Sequence, residues 1–200
     1  AMPTLLLTDR DVVDLLPVDS CIDIMADALR SVSDGSAQLP LRTILRLSGG
    51  VNAFGTMPAT VADAIGAKVI TVFPGNSDTP FDSHVGVVLL FGAQHGELLA
   101  IADASSITAI RTAAVSGLAT RLLARPDAHD LAILGAGVLA LPHLDAIRAV
   151  REVRRVRVWS RSVGRAREWA ARAEEARGIR IEVCDAAQQA VDGADMVCTI

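Results

Sequence analysis

Two rhythms of apolar and polar positions divide the chain. In the first, Ile22, Met25, Ala26 and Leu29 recur at three and four residues, which predicts an amphipathic helix capped by Asp19 or Ser20, stopped at Gly35 and laid over a sheet. Strand-like runs follow at Arg42 to Leu47, Gly66 to Phe73 and Val85 to Phe91, and Gly92-Ala-Gln-His-Gly96 makes a hairpin-like link to Glu97 to Ala102. Strands in succession with no helix between them predict a largely antiparallel sheet. A second helix is expected from Ser106 to Ala124, with Ile107, Ile110, Ala114, Leu118 and Leu122 on one stripe, ending before Arg125-Pro126.

Beyond Pro126 the order becomes strand (Leu131 to Leu134), helix (Val138 to Val150), strand (Arg155 to Trp159), helix (Val163 to Arg177), strand (Arg180 to Cys184) and strand (Asp195 to Ile200). Such alternation marks a parallel sheet with crossover helices. Pro142 should delay or bend the first of these helices, because its ring cannot donate to the helical ladder. The expected fold class is α/β: a mixed or antiparallel N-terminal sheet domain over residues 1–125, then a Rossmann-type domain over residues 126–200. A doubly wound fold normally has about five or six strands. The second sheet therefore reads as half built, and the chain as truncated at its C-terminus.

Composition narrows the classes. Half the chain is apolar and 21% is charged, the balance of a well-packed protein. The charge-free stretch from Leu131 to Leu144 is shorter than a membrane span. With no basic start and apolar core of a secretory signal, a cytoplasmic location is expected. Cys21, Cys184 and Cys198 lack paired spacing, and His84, His95, His129 and His143 are scattered, so neither a disulfide framework nor a metal is expected. The cysteines should be reduced and buried, with the Cys184 and Cys198 strands apart in the sheet. From Arg148 to Arg180 eleven arginines face four glutamates, but only six aromatics occur in the whole chain, too few for a nucleic-acid stacking surface. A solvated helix with pairs such as Glu168 and Arg172 accounts for most of this charge.

Arginine outnumbers lysine eighteen to one. The one lysine, Lys68, sits in Ile65-Gly-Ala-Lys-Val-Ile-Thr-Val-Phe73, an apolar run that reads as a buried strand. An amine can exchange a proton where a guanidinium cannot, which makes Lys68 a candidate for chemistry; a lysine snorkelling from a strand end is the plainer alternative. Gly135-Ala-Gly-Val-Leu-Ala140 follows a strand and opens a helix, the context of a dinucleotide-binding turn: Gly135 permits the tight turn, Gly137 lets a pyrophosphate approach the main chain, and Ala140 lets helix and strand pack closely. An NAD site usually presents an acid about 20 residues on. Here the second strand ends in Trp159-Ser160-Arg161-Ser162, whose hydroxyls and guanidinium suit a 2'-phosphate, with Arg165 one turn later. NADP(H) is therefore favoured over NAD(H), which stays possible if Arg161 points to solvent.

Pro40-Leu-Arg42, Gly55-Thr-Met-Pro58, Gly66-Ala-Lys68, Leu99-Ala-Ile-Ala-Asp103, Ile107-Thr-Ala-Ile-Arg-Thr-Ala-Ala114 and the glycine turn resemble, in order and spacing, the ornithine cyclodeaminase and mu-crystallin family over about residues 39–200. The resemblance implies a homodimer that binds NAD(H) or NADP(H) and acts on the C–N bond of an amino or imino acid, as a ketimine or pyrroline-carboxylate reductase or an L-amino acid dehydrogenase. It makes Arg42 and Lys68 the catalytic and substrate-binding pair, with Arg111 reaching substrate, cofactor or both. It adds Ser83, Val138, Leu139 and Thr199 to the cofactor contacts Gly135, Gly137, Ser160, Arg161 and Ser162. Ornithine cyclodeamination with recycled NAD and a non-catalytic, mu-crystallin-like ligand carrier are its alternatives. Two departures stand out: the family's catalytic aspartate lies downstream of the dinucleotide strands and has no counterpart here, and Ser160 replaces the acid of NAD-using cyclodeaminases.

Overall fold

A computed structural model describes residues 3–47 and 49–200, with the side chains of Ser77 and Asp78 left aside. Contacts divide the chain into two compact units: residues 1–17 with 26–108, and residues 18–25 with 109–200. Both sheets expected from the sequence form.

The first unit carries a six-stranded sheet in the order β1-β6-β5-β4-β3-β2, where β1 is Leu5–Leu7, β2 Thr43–Arg46, β3 Ala53–Val61, β4 Ala64–Val72, β5 His84–Gly92 and β6 Leu98–Asp103. Every pair is antiparallel except β1 with β6, which is parallel. β1 and β3 escape the sequence pattern. β1 is three leucines that become a strand only by pairing with Ala100 to Ala102. β3 contains Gly55 and Pro58, poor strand formers. The Thr60 amide donates to Gln38, so by alternation the Pro58 nitrogen also faces away from β4, on a rung where β2 has already ended. No ladder bond is lost there.

Helix α1 (Asp9–Leu15) also escapes the pattern; Thr8 and Asp11 close its first turn as a reciprocal capping box. Helix α2 (Val18–Ser33) starts at Val18 with Pro17 before it, and neither Asp19 nor Ser20 caps it. Proline's fixed φ suits that entry. Cys21, Ile22 and Ala26 are buried, while Leu29 is exposed. Ile22 packs on helix α3 (Ala104–Leu123) at Gly117 rather than on a sheet: a Cβ at Gly117 would lie 2.9 Å from Ile22 Cδ1. On α3 the expected stripe holds at Ala114 and Leu118 but not at Leu122, which is exposed.

The second unit carries the parallel sheet β10-β7-β8-β9, where β7 is Asp130–Leu134, β8 Arg155–Trp159, β9 Ile181–Val183 and β10 Met196–Thr199. Helices α4 (Ala140–Arg148), α5 (Val163–Arg177) and the unpredicted short α6 (Ala187–Val191) connect the strands. α4 starts late, as Pro142 requires. α5 matches its expected bounds because Ser162 caps it and Gly178, at φ +61°, ends it. Leu131, Ile133, Val156 and Val158 pack with Leu144, Ile147, Trp169 and Ala173 in one apolar core. On the other sheet face Arg157 is buried and donates to the carbonyls of Gln189 and Asp192, closing the C-terminal end of α6. Cys184 follows β9 and Cys198 lies in β10, at opposite edges of the sheet. Burial pushes the thiols of Cys21, Cys184 and Cys198 above their ordinary range, although Cys198 is only half-buried.

Candidate functional site

In the second unit the order β9-β8-β7-β10 reverses direction of growth at β7, and the glycine turn leaves β7 at that switch point. Ligands of open α/β sheets bind there. Gly135 has φ +134°, its amide donates to the Trp159 carbonyl at 2.8 Å, and a Cβ added to it would stand 2.0 Å from the Ile200 carbonyl oxygen. Only glycine fits. Gly137 has open space where a side chain would be, and Val138 is exposed, so the turn presents its main chain outward. Leu139, at the N-cap of α4, brings no side-chain acceptor to the first-turn amides. Pro142 has no N–H and the Ala140 amide donates to the Gly137 carbonyl at 3.1 Å, so the outward-facing main chain of the turn and the Leu141 amide are what an anion would meet. The chemistry of this turn therefore fits the pyrophosphate expected from the sequence.

Ala136, Gly137, Val138 and Leu141 share a cleft of about 490 Å³ with Arg165, Glu168, Trp169 and Arg172 of α5. Thus the structure joins Arg165 to the glycine turn. The ion pair expected between Glu168 and Arg172 is not formed; both border the cleft. Ser160, Arg161 and Ser162 lie beyond the cleft lining, in the bend from β8 to α5. Ser160 Oγ accepts from the Ser162 amide and Ser162 Oγ from the Arg165 amide, each at 3.4 Å, while Arg161 is exposed. Thr199 is exposed at the end of β10, level with Leu134. Arg111 is an exposed residue of α3.

In the first unit Lys68 lies in the middle of β4, opposite Met57 on one side and Val88 on the other. The strand is not buried, as its apolar run had implied: Lys68 is half-buried and Ile65 is exposed. The reason is that the face carrying Ile65, Ala67, Val69 and Thr71 is incompletely covered; Leu45 and Val85, on the rung of Thr71, are 59% and 53% exposed. On the opposite face Lys68 Nζ donates to Thr108 Oγ1 at 3.4 Å. Asp103, at the end of β6, accepts the Ser106 amide at 2.6 Å and so fixes the first turn of α3, the helix whose next turn carries Thr108.

Arg42 is exposed, one residue before β2 and four after the bridge of Gln38 to Thr60. Thr43 pairs with Thr56 and Met57 with Lys68, so the register continued by one residue brings Arg42 level with Lys68, two strands away. That is a separation of about 10 Å between backbones, within reach of one amino acid held between two long side chains. Ser83 is half-buried, its Oγ 3.1 Å from His84 Nδ1, and its carbonyl accepts the Phe73 amide. A larger cavity of about 570 Å³, lined by Leu6, Asp9, Asp103 and Ser105 among others, contains none of the expected site residues.

The model of the ornithine cyclodeaminase/mu-crystallin family matches residues 2–200. The chain belongs to this family. The match begins well before Leu39, where the recognisable segments start. Mouse ketimine reductase mu-crystallin is 39% identical over 169 residues, covering 84% of this chain and 53% of that protein. Among solved structures, Thermococcus litoralis Δ1-pyrroline-2-carboxylate reductase in complex with NADH and L-proline has a TM-score of 0.92 and 31% identity, covering 98% of this chain and 61% of that one. An archaeal alanine dehydrogenase dimer with bound NAD has a TM-score of 0.85 and 29% identity, covering 92% and 57%. The chain therefore spans about half the length of the curated relative and three fifths of the solved ones. Within the family segment Ile107 to Ala114, Thr108 is the residue that sequence reasoning passed over. Its only signal there was its place one helical turn before Arg111.

Proposed function

We propose that this ornithine cyclodeaminase/mu-crystallin family member is an NAD(P)-dependent oxidoreductase that reduces the C=N bond of an imino acid, or oxidises the corresponding L-amino acid. The observation that supports the reading is the register of β2, β3 and β4, which, continued by one residue from Thr43, brings Arg42 level with the chain's only lysine, in a chain that also bears a glycine turn fitted to a pyrophosphate. Arg42 holds the substrate carboxylate through paired hydrogen bonds and sets the α-carbon for attack. Lys68 supplies a proton to the imine nitrogen, or removes one from the amine in the reverse direction. Arg111 serves as a second positive charge toward the substrate or cofactor, and Ser83 and Thr199 as hydroxyl contacts to the cofactor. When bound, the nicotinamide supplies or accepts the hydride at the α-carbon.

Gly135, Gly137, Val138 and Leu139 would hold the pyrophosphate. NADP(H) is the preferred form in this reading, because Ser160 stands where an acid would repel a 2'-phosphate and Arg161 and Arg165 flank it. The relatives named with NADH and NAD leave that preference to experiment. Nicotinamide fluorescence should show tighter NADPH than NADH binding, reversed by Ser160→Asp, and NADPH oxidation should follow on addition of a cyclic ketimine carboxylate. Ammonia release from ornithine without net NADH would instead support cyclodeamination; retained NADPH binding with no turnover would support a ligand carrier. In this reading the protein works as a homodimer through the open sheet face around Leu45 and Val85, supported by the dimer of the alanine dehydrogenase relative and by the exposure of those side chains.

A further inference from the structure

Lys68 has a four-carbon stem with many rotamers, and a proton donor that wanders loses most of its value. β4 fixes its Cα by pairing on both sides, with Met57 and with Val88. The tip is fixed separately: Nζ donates to Thr108 Oγ1 at 3.4 Å, in a part-buried setting. Thr108 stands in the second turn of α3, whose start is tied to β6 by the Asp103 carboxylate on the Ser106 amide at 2.6 Å. A β-branched hydroxyl on a helix has few χ1 states, so it makes a stiff acceptor.

We propose that Thr108 is a positioning residue for the proposed reaction, holding the Lys68 ammonium in one orientation and favouring its charged form through a hydroxyl acceptor. It rests on the reading of Lys68 as the proton-handling amine. A hydroxyl that accepts from the ammonium stabilises the protonated state, the state that gives its proton to the imine nitrogen as hydride reaches the carbon. The bond N–H to lysine breaks, the bond N–H to the product amine forms, and solvent reprotonates the lysine. Serine in place of Thr108 keeps the acceptor; valine keeps the shape and removes it.

Because Lys68 is the only lysine, ¹³Cε-labelled lysine reports its titration as one resonance in the whole protein, with no assignment step. Thr108→Val should lower the Lys68 midpoint by about half a unit, and Thr108→Ser should leave it in place. In imine reduction, Thr108→Val should cost about tenfold in kcat with KM changed less than about threefold, and the alkaline limb of the pH–rate profile should move down with the lysine midpoint. Thr108→Ser should restore both. Thr108→Ala is the second acceptor-free variant if valine disturbs folding. An unchanged lysine midpoint in folded Val and Ala variants overturns the proposal, as does a serine variant that behaves like valine. If the unsubstituted protein reduces no imine, the oxidoreductase reading fails, and the lysine titration still decides whether Thr108 holds the amine.

Discussion

A methyl group at Gly135 would meet the Ile200 carbonyl oxygen at 2.0 Å, at a backbone φ of +134° that side chains avoid. Gly135→Ala must therefore push the turn away from β10. The expected outcome is at least a tenfold weaker NADPH titration, about 1.4 kcal/mol, together with a lower melting temperature. Lys68→Arg tests different physics: the positive charge stays, while a guanidinium gives up no proton near neutral pH. It should reduce kcat for imine reduction by about a hundredfold while leaving the cofactor titration unchanged. The types of these two residues were readable from the sequence, since a lone lysine among arginines and a glycine turn after a strand each carry a chemical meaning. The partners Ile200 and Thr108 were not, because they lie 65 and 40 positions away and are brought close by sheet pairing and helix docking.

Elements that end on their own local signals were legible: α5 has its serine cap and its left-handed glycine, and β8 its alternation. Elements made by a neighbour were not, β1 and β3 above all, since three leucines or a strand with Gly55 and Pro58 have no periodicity of their own. The end of α3 is another case of distant support. Arg151 donates to the carbonyls of Arg121, Ala124 and Arg125 at 3.1, 2.7 and 3.1 Å, which satisfies acceptors in its last turn and just beyond it. Arg151→Ala should lower stability by about 1–3 kcal/mol in a urea titration. Asp195 ties the start of β7 in a similar way, accepting the amides of His129 and Asp130 beside Arg125. These bonds, with the His129 amide foremost, hold its carboxyl below the ordinary range. Its stabilising share is thus complete above the usual carboxylate pKa and is lost as pH falls through the depressed value. Asp195→Asn should be less stable than the unsubstituted protein at pH 7, and the difference should shrink below about pH 4 in pH-resolved denaturation.

At the scale of the first unit, one face of the six-stranded sheet is open in the isolated chain, from Leu6, 73% exposed on one edge strand, across the exposed Val85 and Val87 to the exposed Leu45 on the other edge. Apolar positions on that scale mark an interaction surface. If it is the homodimer face, Val85→Glu should shift the mass in light scattering from dimer to monomer and leave the circular dichroism of the monomer intact. An unchanged mass would place any dimer contact elsewhere. Among the described residues no helix is long and apolar enough to cross a membrane.

Local sequence alone determined the alternation of strand and helix after Pro126, the antiparallel run before it and the glycine turn, because each is written in contacts a few residues apart. Tertiary structure decided what is nonlocal. It selected β1 and β3 by pairing, opened one face of β4 that the apolar run had made look buried, set Ile200 against Gly135, and placed a threonine hydroxyl on the only lysine. The physical reason is the same in each case: periodicity records which side of an element is apolar, while only the closed sheet and the packed helix determine which atoms meet there.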